Sequence, residues 1–260
     1  MIGESWNNVA TGRDSSPDAA LTDVQQFVAD KLAGKHARVY EAGGGSFAIV
    51  PLPLLSKPTV VVVDINETQL QNNKYADTKI LGDIQTYDFP PNSFDLIVCN
   101  NVIEHLPAVD QAIMRFQHAL APGGLLFIGA PNPQSLFGMV TKYSPHWFHV
   151  WFYRVILGRK DAGQPGRPPF RTVYHHIVSP ESLLRFCDKI GLKPIYFNLY
   201  IGDNYTKVRR KRPALGRLLT AALGLMNLVT LKRLNLIYGD YHAVLQKPLG
   251  TMAPQERTKS

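Results

Sequence analysis

The sequence predicts an α/β fold: a doubly wound, mostly parallel sheet of seven strands with an inserted helical and aromatic cap. Four apolar runs in the first half indicate buried parallel strands. Polar groups stand at or just past the ends of these runs, where open α/β sheets bind ligands, so a nucleotide-like cofactor is expected. A second half rich in aromatic and basic residues predicts the cap.

Length and composition suit one domain, since 260 residues of which 45% are apolar can bury a full core. We predict a single domain over residues 1–260. Within it, 37–131 bind the cofactor, 133–235 form the substrate cap and insertions, and 236–248 hold the C-terminal strand.

The compartment is indicated by the N-terminal segment and the cysteines. Residues 1–18 contain no apolar core of a secretory signal. Cys99 falls in a predicted strand and Cys187 in a predicted helix, so both are expected to be small core residues rather than disulfide partners. We therefore expect a cytoplasmic protein, with peripheral membrane contact as a further option.

Charge is distributed unevenly along the chain. Residues 1–139 carry a net charge of −6 and residues 140–260 a net charge of +14. The basic half indicates contact with nucleic acid, an anionic membrane or an acidic substrate, and a merely solvated basic face is the alternative.

Apolar spacing and turn residues place the elements of the first half. An amphipathic helix at 19–32 precedes the first strand at 37–41. The proline-rich connection to the next strand, which ends at Asp64, predicts a brief or irregular crossover. The later elements are a strand at 95–100, a helix at 110–120 ended by a Pro-Gly-Gly turn, and a strand at 125–128.

The second half begins with an aromatic segment. Residues 143–153 hold six Phe, Trp and Tyr residues and two histidines, without the period of a regular strand or a clean amphipathic helix. A bulky apolar or aromatic substrate is the direct inference, and a satellite core is the alternative. Ser179 as N-cap, Pro180 as first residue and Gly191 as stop then predict a helix, and a last strand is expected at 241–246.

The stretch 209–233 combines an apolar run with basic clusters at both ends. Arg217 inside the run disfavours a spanning helix, because a guanidinium at the bilayer centre costs about 2.5 to 3.5 kcal/mol. An interfacial helix on an anionic membrane and a cap helix packed on the sheet both stay open. The apolar residues that share one helical face are Leu215, Leu218, Leu219, Ala222, Leu223, Met226 and Val229.

Glycines and carboxylates follow the strands of the first half. Gly43 to Gly45 come directly after the first strand, where the missing Cβ lets the backbone approach a ligand. Asp64 closes the next strand, 23 residues after Glu41, where a carboxylate can accept both hydroxyls of a ribose. Asp83 lies where a carboxylate could accept from an exocyclic amine.

These segments resemble the class I S-adenosylmethionine-dependent methyltransferases over 37–131, and more weakly from Tyr174 onward. The family motif of an acidic residue followed by glycines at alternating positions fits Glu41, Gly43 and Gly45. The resemblance implies a Rossmann-like methyltransferase fold and S-adenosylmethionine as cofactor. The type is similar to the ubiquinone-biosynthesis O-methyltransferase-like group.

The resemblance also implies which residues hold the cofactor. Asp64 would hold the ribose, Asp83 and Ile84 the adenine, and Asn100 the methionine part. Phe47 stands where the family usually has a third glycine, which leaves the loop geometry open. The full expected set is Glu41, Ala42, Gly43, Gly45, Asp64, Ile65, Asp83, Ile84 and Asn100.

A metal site is not predicted. Glu104 and His105 match an E-x-x-E-H helix that holds a divalent metal in ubiquinone-biosynthesis and small-RNA methyltransferases, but Asn101 replaces its first glutamate. An amide oxygen brings no charge and weakens a site for a hard cation.

Three histidines are candidates for taking a proton from the acceptor during catalysis. His175 and His176 follow Tyr174, which occupies the position of a usual family histidine, and His105 is the third. An imidazole of near-neutral pKa suits this task.

The expected function is transfer of a methyl group from S-adenosylmethionine to a small apolar or aromatic acceptor, such as a lipid-like or secondary metabolite. Oxygen is the preferred atom, ahead of nitrogen and carbon. The expected partners are this acceptor and the periphery of an anionic membrane, and nucleic acid is not expected.

Three other functions are weighed against it. The basic half supports an RNA methyltransferase or RNA-binding module, and a non-catalytic, membrane-associated scaffold would keep the same fold. Gly43, Gly45 and Ala48 also fit the G-x-G-x-x-A pattern of nicotinamide enzymes, although the later segments follow methyltransferase order.

Overall fold

The computed structural model describes residues 10–11, 16–46, 48–49, 52–164, 169–229 and 236–249. Within them, eight strands form one sheet in the order β1-β7-β8-β6-β5-β2-β3-β4. The strands are β1 (Ala10–Thr11), β2 (Arg38–Ala42), β3 (Thr59–Asp64), β4 (Thr78–Leu81), β5 (Phe94–Asn100), β6 (Leu120–Pro131), β7 (Lys193–Tyr200) and β8 (Asp240–Gln246). The α-helices are α1 (Pro17–Lys31), α2 (Glu67–Asn72), α3 (Val109–Ala119), α4 (Leu136–Tyr143), α5 (His146–Val155), α6 (Pro180–Lys189), α7 (Asp203–Lys211) and α8 (Pro213–Val229).

The strand directions confirm the predicted fold class. All pairs are parallel except those of β8, which runs antiparallel to both β6 and β7. The seven-stranded sheet is extended at one edge by the two-residue β1, which pairs with β7. A pair of residues is too short to give a period-2 pattern, so the sequence did not predict this strand.

Helices cover both faces of the sheet, and β5 illustrates the consequence. Ile97 and Cys99 pack with α3 and α6, whereas Leu96 and Val98 pack with α1 on the opposite face. A strand covered on both sides needs a continuous apolar run, which is what the sequence contains there. Cys99 and Cys187 are both free and buried, as predicted.

The helix signals of the second half are confirmed for α6. The helix begins at Pro180, after Ser179 in an extended conformation, and Gly191 follows its end with a φ of +88°. Ser179 occupies the N-cap position, but its side chain makes no capping hydrogen bond.

Most of the aromatic segment is helical, although its sequence lacks the period of a clean amphipathic helix. Pro145 precedes α5, which has no fully buried residue. Trp147, Trp151 and Val155 are exposed. Because large rings also occupy the other sides of α5, the helix lacks the apolar period on which helix prediction depends.

The stretch predicted as one apolar helix is divided. The helix is interrupted at Arg212: α7 ends at Lys211, and α8 begins at Pro213. Leu219 and Leu223 pack with the buried side chain of Tyr205, whereas Leu218 and Val229 are exposed. The predicted apolar face is therefore only partly covered, because α8 is apolar on more than one side. No helix in the described part of the chain is long and apolar enough to cross a membrane.

Candidate functional site

The predicted cofactor residues lie where β2, β3 and β5 end at one edge of the sheet. The Gly43 N–H donates to the Val63 carbonyl at 2.8 Å, and the Gly82 N–H donates to the Asp64 carbonyl at 3.1 Å. Asn100 pairs with Gly129 in the register of β5 and β6. The parallel order of the strands thus gathers residues that are far apart in sequence.

The glycine loop is fixed over the carboxylate of Asp64. The Gly45 N–H donates to Asp64 Oδ2 at 2.9 Å, and the amide of Asn73 donates to the Gly45 carbonyl at 2.7 Å. Gly45 has a φ of +52°, and a Cβ there would lie 2.2 Å from Gln69 Oε1. Only glycine fits this turn. Phe47, the departure from the family pattern, lies outside the described residues.

Asp64 has the geometry of a ligand-binding carboxylate. Its side chain is buried, and Asp64 Oδ1 accepts from the Asn66 N–H at 2.7 Å. Each carboxylate oxygen has more than one acceptor position, so both oxygens can still accept a hydroxyl. Ile65 beside it is exposed and offers an apolar surface at the same edge.

The Glu41 side chain packs against the glycine loop. The carboxylate is buried, and its Oε1 accepts from the Ile49 N–H at 2.9 Å. Burial raises the pKa of Glu41 to about 7, although hydrogen bonding by Tyr75 and Ile49 opposes this rise. A Cβ on Gly44 would meet Glu41 Cγ at 2.7 Å, so the loop lies directly on this side chain. The neighbouring Ala42 is buried at the end of β2.

The residues expected at the adenine lie just past β4. The Asp83 carboxylate accepts from the backbone N–H of Gln85 at 2.8 Å and from its side-chain amide at 3.1 Å. Ile84 is buried in the core on the α3 side of the sheet. Asp83 therefore retains acceptor capacity, while Ile84 contributes to packing in the described structure.

Asn100 occupies space that a glycine provides. A Cβ on Gly129 would lie 1.9 Å from Asn100 Oδ1, so any larger residue at this position would displace the amide. The sequence interpretation missed Gly129. The available signal was a glycine inside an otherwise apolar strand, which often marks a close approach.

A second group of side chains comes from α5, the segments around Glu104 and Tyr174, the end of β7 and the start of β8, and we call it the acid–tyrosine cluster. Glu104 is 4% exposed, and its Oε2 has no hydrogen-bond partner among the described residues. Its backbone carbonyl accepts from the N–H groups of Val173 and Tyr174 at 2.8 and 3.2 Å. The members of the cluster are Glu104, Tyr153, Tyr174, Tyr200 and Asp240.

Electrostatic interactions connect the members of this cluster. Burial raises the pKa of Glu104 to about 8, and the charge of Asp240 adds to the rise. Burial also raises the pKa of Tyr174 and Tyr200, with further increases from Glu104 and Asp240. Burial raises the pKa of Asp240 itself to about 6. The cluster thus holds two carboxyl groups that accept a proton near neutral pH.

The three candidate histidines occupy different environments. His105 Nδ1 lies 2.6 Å from the Arg171 carbonyl, and burial lowers the pKa of its ring. His176 is exposed, and its ring centroid lies 4.2 Å from that of His175. Desolvation and the neighbouring His176 lower the pKa of His175, which also lies near the charge of Asp110. His105 adjoins the acid–tyrosine cluster, since its Nε2 lies 3.6 Å from Glu104 Oε1.

The sequence indicated Glu104 as a metal ligand or as part of a helix start that lines the pocket, but not the cluster around it. Tyr174 stands at a family histidine position, and Asp240 is the first residue of β8. Neither position indicates in the sequence which residues lie near it in the fold, because the cluster is assembled from separate loops and strand ends. Among the described residues, no group of three His, Cys, Asp or Glu side chains could hold a metal ion.

The raised pKa values predict that the ligand-free protein is less stable in alkaline solution. The unfolded chain releases its carboxyl protons near pH 4.5, whereas Glu41 and Glu104 retain theirs to about pH 7 and 8. The folded state therefore binds more protons, and the free energy of unfolding should fall by about 2 kcal/mol between about pH 6.5 and 8.5. Urea unfolding at both pH values measures this change.

The matched variant for this measurement is Glu104→Gln, which should remove most of the pH dependence. The lowered pKa of His242, about 4, affects stability mainly below pH 7, since the unfolded imidazole takes up its proton near pH 6.5, and Asp240, with a pKa of about 6, is largely ionised within the window. Stability that is constant or rises over the window would contradict the burial of these protonated carboxyl groups.

Comparison with known proteins gives the class of this domain. Residues 41–128 match the family described as a methyltransferase domain. A SAM-dependent methyltransferase from Archaeoglobus fulgidus has a similar structure, with a TM-score of 0.56 and 16% identity over 90% of this chain and 95% of its own. The [4+2]-cyclase SpnF has a TM-score of 0.53 and 16% identity over 92% of this chain and 84% of its own. The matched segment and the fold together support the predicted resemblance to the class I S-adenosylmethionine-dependent methyltransferases, with S-adenosylmethionine as the cofactor.

A curated relative gives the nearer resemblance. The ubiquinone/menaquinone biosynthesis C-methyltransferase UbiE of Cupriavidus metallidurans is 29% identical over 165 residues, which are 58% of this chain and 65% of that protein. The chain thus spans slightly less than two thirds of the length of this relative.

Proposed function

We propose that the chain transfers the methyl group of S-adenosylmethionine to a small apolar or aromatic acceptor that carries a hydroxyl group, with oxygen as the receiving atom. The observation that carries this proposal is the buried Oε2 of Glu104, shortly after the carboxyl end of β5, which has no hydrogen-bond partner among the described residues. A buried carboxyl oxygen without a partner is costly, and an acceptor hydroxyl would supply the missing hydrogen bond.

The residues at the strand ends fit the cofactor. Gly43 and Gly45 form a tight turn with positive φ, where a Cβ would collide with Val102 and Gln69, and Asp64 retains acceptor positions on both oxygens. The amide of Asn100, for which Gly129 provides space, suits the charged amino-acid part. When bound, S-adenosylmethionine supplies an activated methyl group on a sulfonium, so the protein contributes mainly alignment and exclusion of water.

The residues of the cluster would prepare the acceptor. Glu104 Oε2 would accept the hydroxyl proton, since a carboxylate whose pKa is raised to about 8 is a more effective base than an exposed one. Tyr174, whose N–H donates to the Glu104 carbonyl, would line the same site, whereas the Tyr200 hydroxyl lies 3.1 Å from Nε2 of the buried His242. His105, His175 and His176 remain predictions for this role, and the exposure of His176 makes it the weakest of the three.

The cap supports an apolar or aromatic acceptor. Phe137 of α4 and Phe152 of α5 have ring centroids 6.0 Å apart, and the Tyr153 hydroxyl reaches Asn204 of α7 at 3.5 Å. The ring centroid of Phe152 lies 6.4 Å from that of Tyr153, so aromatic side chains of the cap adjoin one member of the acid–tyrosine cluster. Such a lining favours a ring-bearing acceptor with one polar group.

Methyl transfer to carbon is the second candidate. The relative from Cupriavidus metallidurans is named a C-methyltransferase. A phenol that has given its proton to Glu104 has increased electron density on ring carbons as well as on oxygen. The same residues would therefore serve either atom, and the product must distinguish them.

The test uses S-adenosylmethionine labelled with carbon-13 in its methyl group and extract from a strain that lacks this protein. We expect a metabolite that gains one labelled methyl group, found by mass spectrometry, and a carbon shift typical of a methyl on oxygen. A carbon-bound methyl would replace the first candidate by the second. Absence of any labelled product, together with binding of NADH but not S-adenosylhomocysteine in calorimetry, would refute both.

A further inference from the structure

The outer side of α8 carries an uncovered apolar row. Leu218, Leu225 and Val229 are separated by seven and four residues, the spacing of one helical face, and Leu228 lies beside them. These four side chains are between 62% and 74% exposed. Ala221 and Ala222 are exposed between them, so the row continues through the helix.

The opposite side of α8 is already used in packing. Leu223 is buried with Tyr205, and the Thr220 hydroxyl lies 2.6 Å from that of Tyr205. Leu219 joins the same small core. Because this contact fixes the orientation of α8, the apolar row is held outward by the fold rather than exposed by rotation of a loose helix.

A basic corner adjoins the start of this row. It consists of Arg209, Arg210, Lys211 and Arg212 at the junction of α7 and α8, and Arg217 follows within α8. Residues 204–239 contain eight Lys and Arg and no Asp or Glu. The segment therefore lacks negative charge of its own, and a partner that supplies it would be attracted.

The end of α5 lies against the same corner. Arg212 donates to the Val155 carbonyl at 3.1 Å, and Lys211 donates to the Leu157 carbonyl. The exposed side chains of Trp147 and Trp151 precede Val155 by eight and four residues, so an aromatic row ends at the basic corner. Tryptophan is enriched where proteins meet the interface of a bilayer.

We propose that the α8 row and the basic corner bind the surface of an anionic lipid bilayer. A bilayer interface offers apolar depth for the leucines and anionic headgroups for the arginines. A second copy of this chain would cover the leucines but bring more positive charge instead of negative. Nucleic acid would neutralise the arginines but leave a row of aliphatic side chains without a partner. Binding to a bilayer does not require methyl transfer, so this proposal can be supported or refuted independently of the proposed function.

The test is flotation of the purified full chain with vesicles. We expect at least about tenfold stronger binding to phosphatidylcholine vesicles that contain phosphatidylglycerol than to pure phosphatidylcholine, and loss of this difference at high ionic strength. The double variant Leu225→Asp with Val229→Asp should lower binding to the anionic vesicles by at least about tenfold. Met114→Asp, at an exposed position of α3, is the matched control and should bind as the unchanged chain does.

A second pair of variants tests the charge. Arg209→Gln with Arg210→Gln should weaken binding to anionic vesicles, whereas Lys35→Gln with Lys189→Gln, at exposed positions elsewhere, should not. Equal binding by all variants would overturn the proposal. So would a dimer in light scattering that the Leu225 and Val229 changes abolish while the vesicles float alone, or retention of RNA in place of vesicles. Circular dichroism and S-adenosylhomocysteine binding confirm that each variant is folded.

Discussion

Asp64→Ala is expected to weaken binding of S-adenosylhomocysteine by at least about a hundredfold. Two ribose hydroxyls would each lose a hydrogen bond to a charged acceptor, and each such bond contributes about 1.5 to 3 kcal/mol. The change also releases the Gly45 N–H, which donates to Asp64 Oδ2 at 2.9 Å and holds the loop in place. Isothermal titration calorimetry measures the affinity directly.

The matched control for this experiment is Asp77→Ala. Asp77 Oδ2 accepts from the Val60 N–H at 2.7 Å, so it performs the same structural task at the opposite end of β3. We expect a similar loss of thermal stability in both variants and a loss of affinity only for Asp64→Ala. Unchanged affinity in Asp64→Ala would refute the ribose site, and equal losses in both variants would mean that folding, not the carboxylate, is responsible.

Glu104→Gln is expected to lower the rate of methyl transfer by at least about a hundredfold while leaving cofactor affinity unchanged. An amide cannot accept the acceptor's proton, and a positioned base contributes on the order of a hundredfold or more. The unchanged chain should also show kcat/KM rising with pH until Glu104 is ionised, near its raised pKa of about 8. The variant should lose this rise. Initial rates across pH, with the labelled cofactor, provide the measurement.

Glu181→Gln is the control for that substitution. Glu181 is exposed on α6 and forms an ion pair with Arg185 at 2.8 Å, so its loss changes charge without touching the cluster. Its rate should match that of the unchanged chain. If Glu104→Gln retained more than about half of the rate, or kept the same pH profile, Glu104 would not be the base, and His105, which adjoins it, would become the first candidate.

Much of the fold was predictable because it depends on local patterns. The buried strands are continuous apolar runs, since helices cover the sheet on both faces, and β5 is a clear example. Pro180 marks the start of α6 because its ring fixes φ, and Gly191 follows the end of α6 because it can adopt a positive φ. The glycine loop was predictable for the same reason, because a turn with a φ of +52° at Gly45 requires a residue without a side chain.

Other features were not predictable because their patterns are ambiguous. In α5, apolar rings on several sides conceal the helical period. In α8, the apolar residues are too numerous to show which side packs, and the contact of Leu223 with Tyr205 decides it. The two-residue β1 is a strand only because β7 offers an open edge.

The sequence by itself predicted the resemblance to this class of protein: the order of the strands along the chain, the glycine turn and the carboxylate of Asp64 are encoded in short segments whose chemistry is local. Only the tertiary structure brought together the residues at which we propose that the acceptor binds. Glu104, Tyr174 and Asp240 come from separate parts of the chain, and burial in their shared surroundings raises the pKa of each. Desolvation and proximity are properties of the packed molecule, so no single segment of sequence contains them.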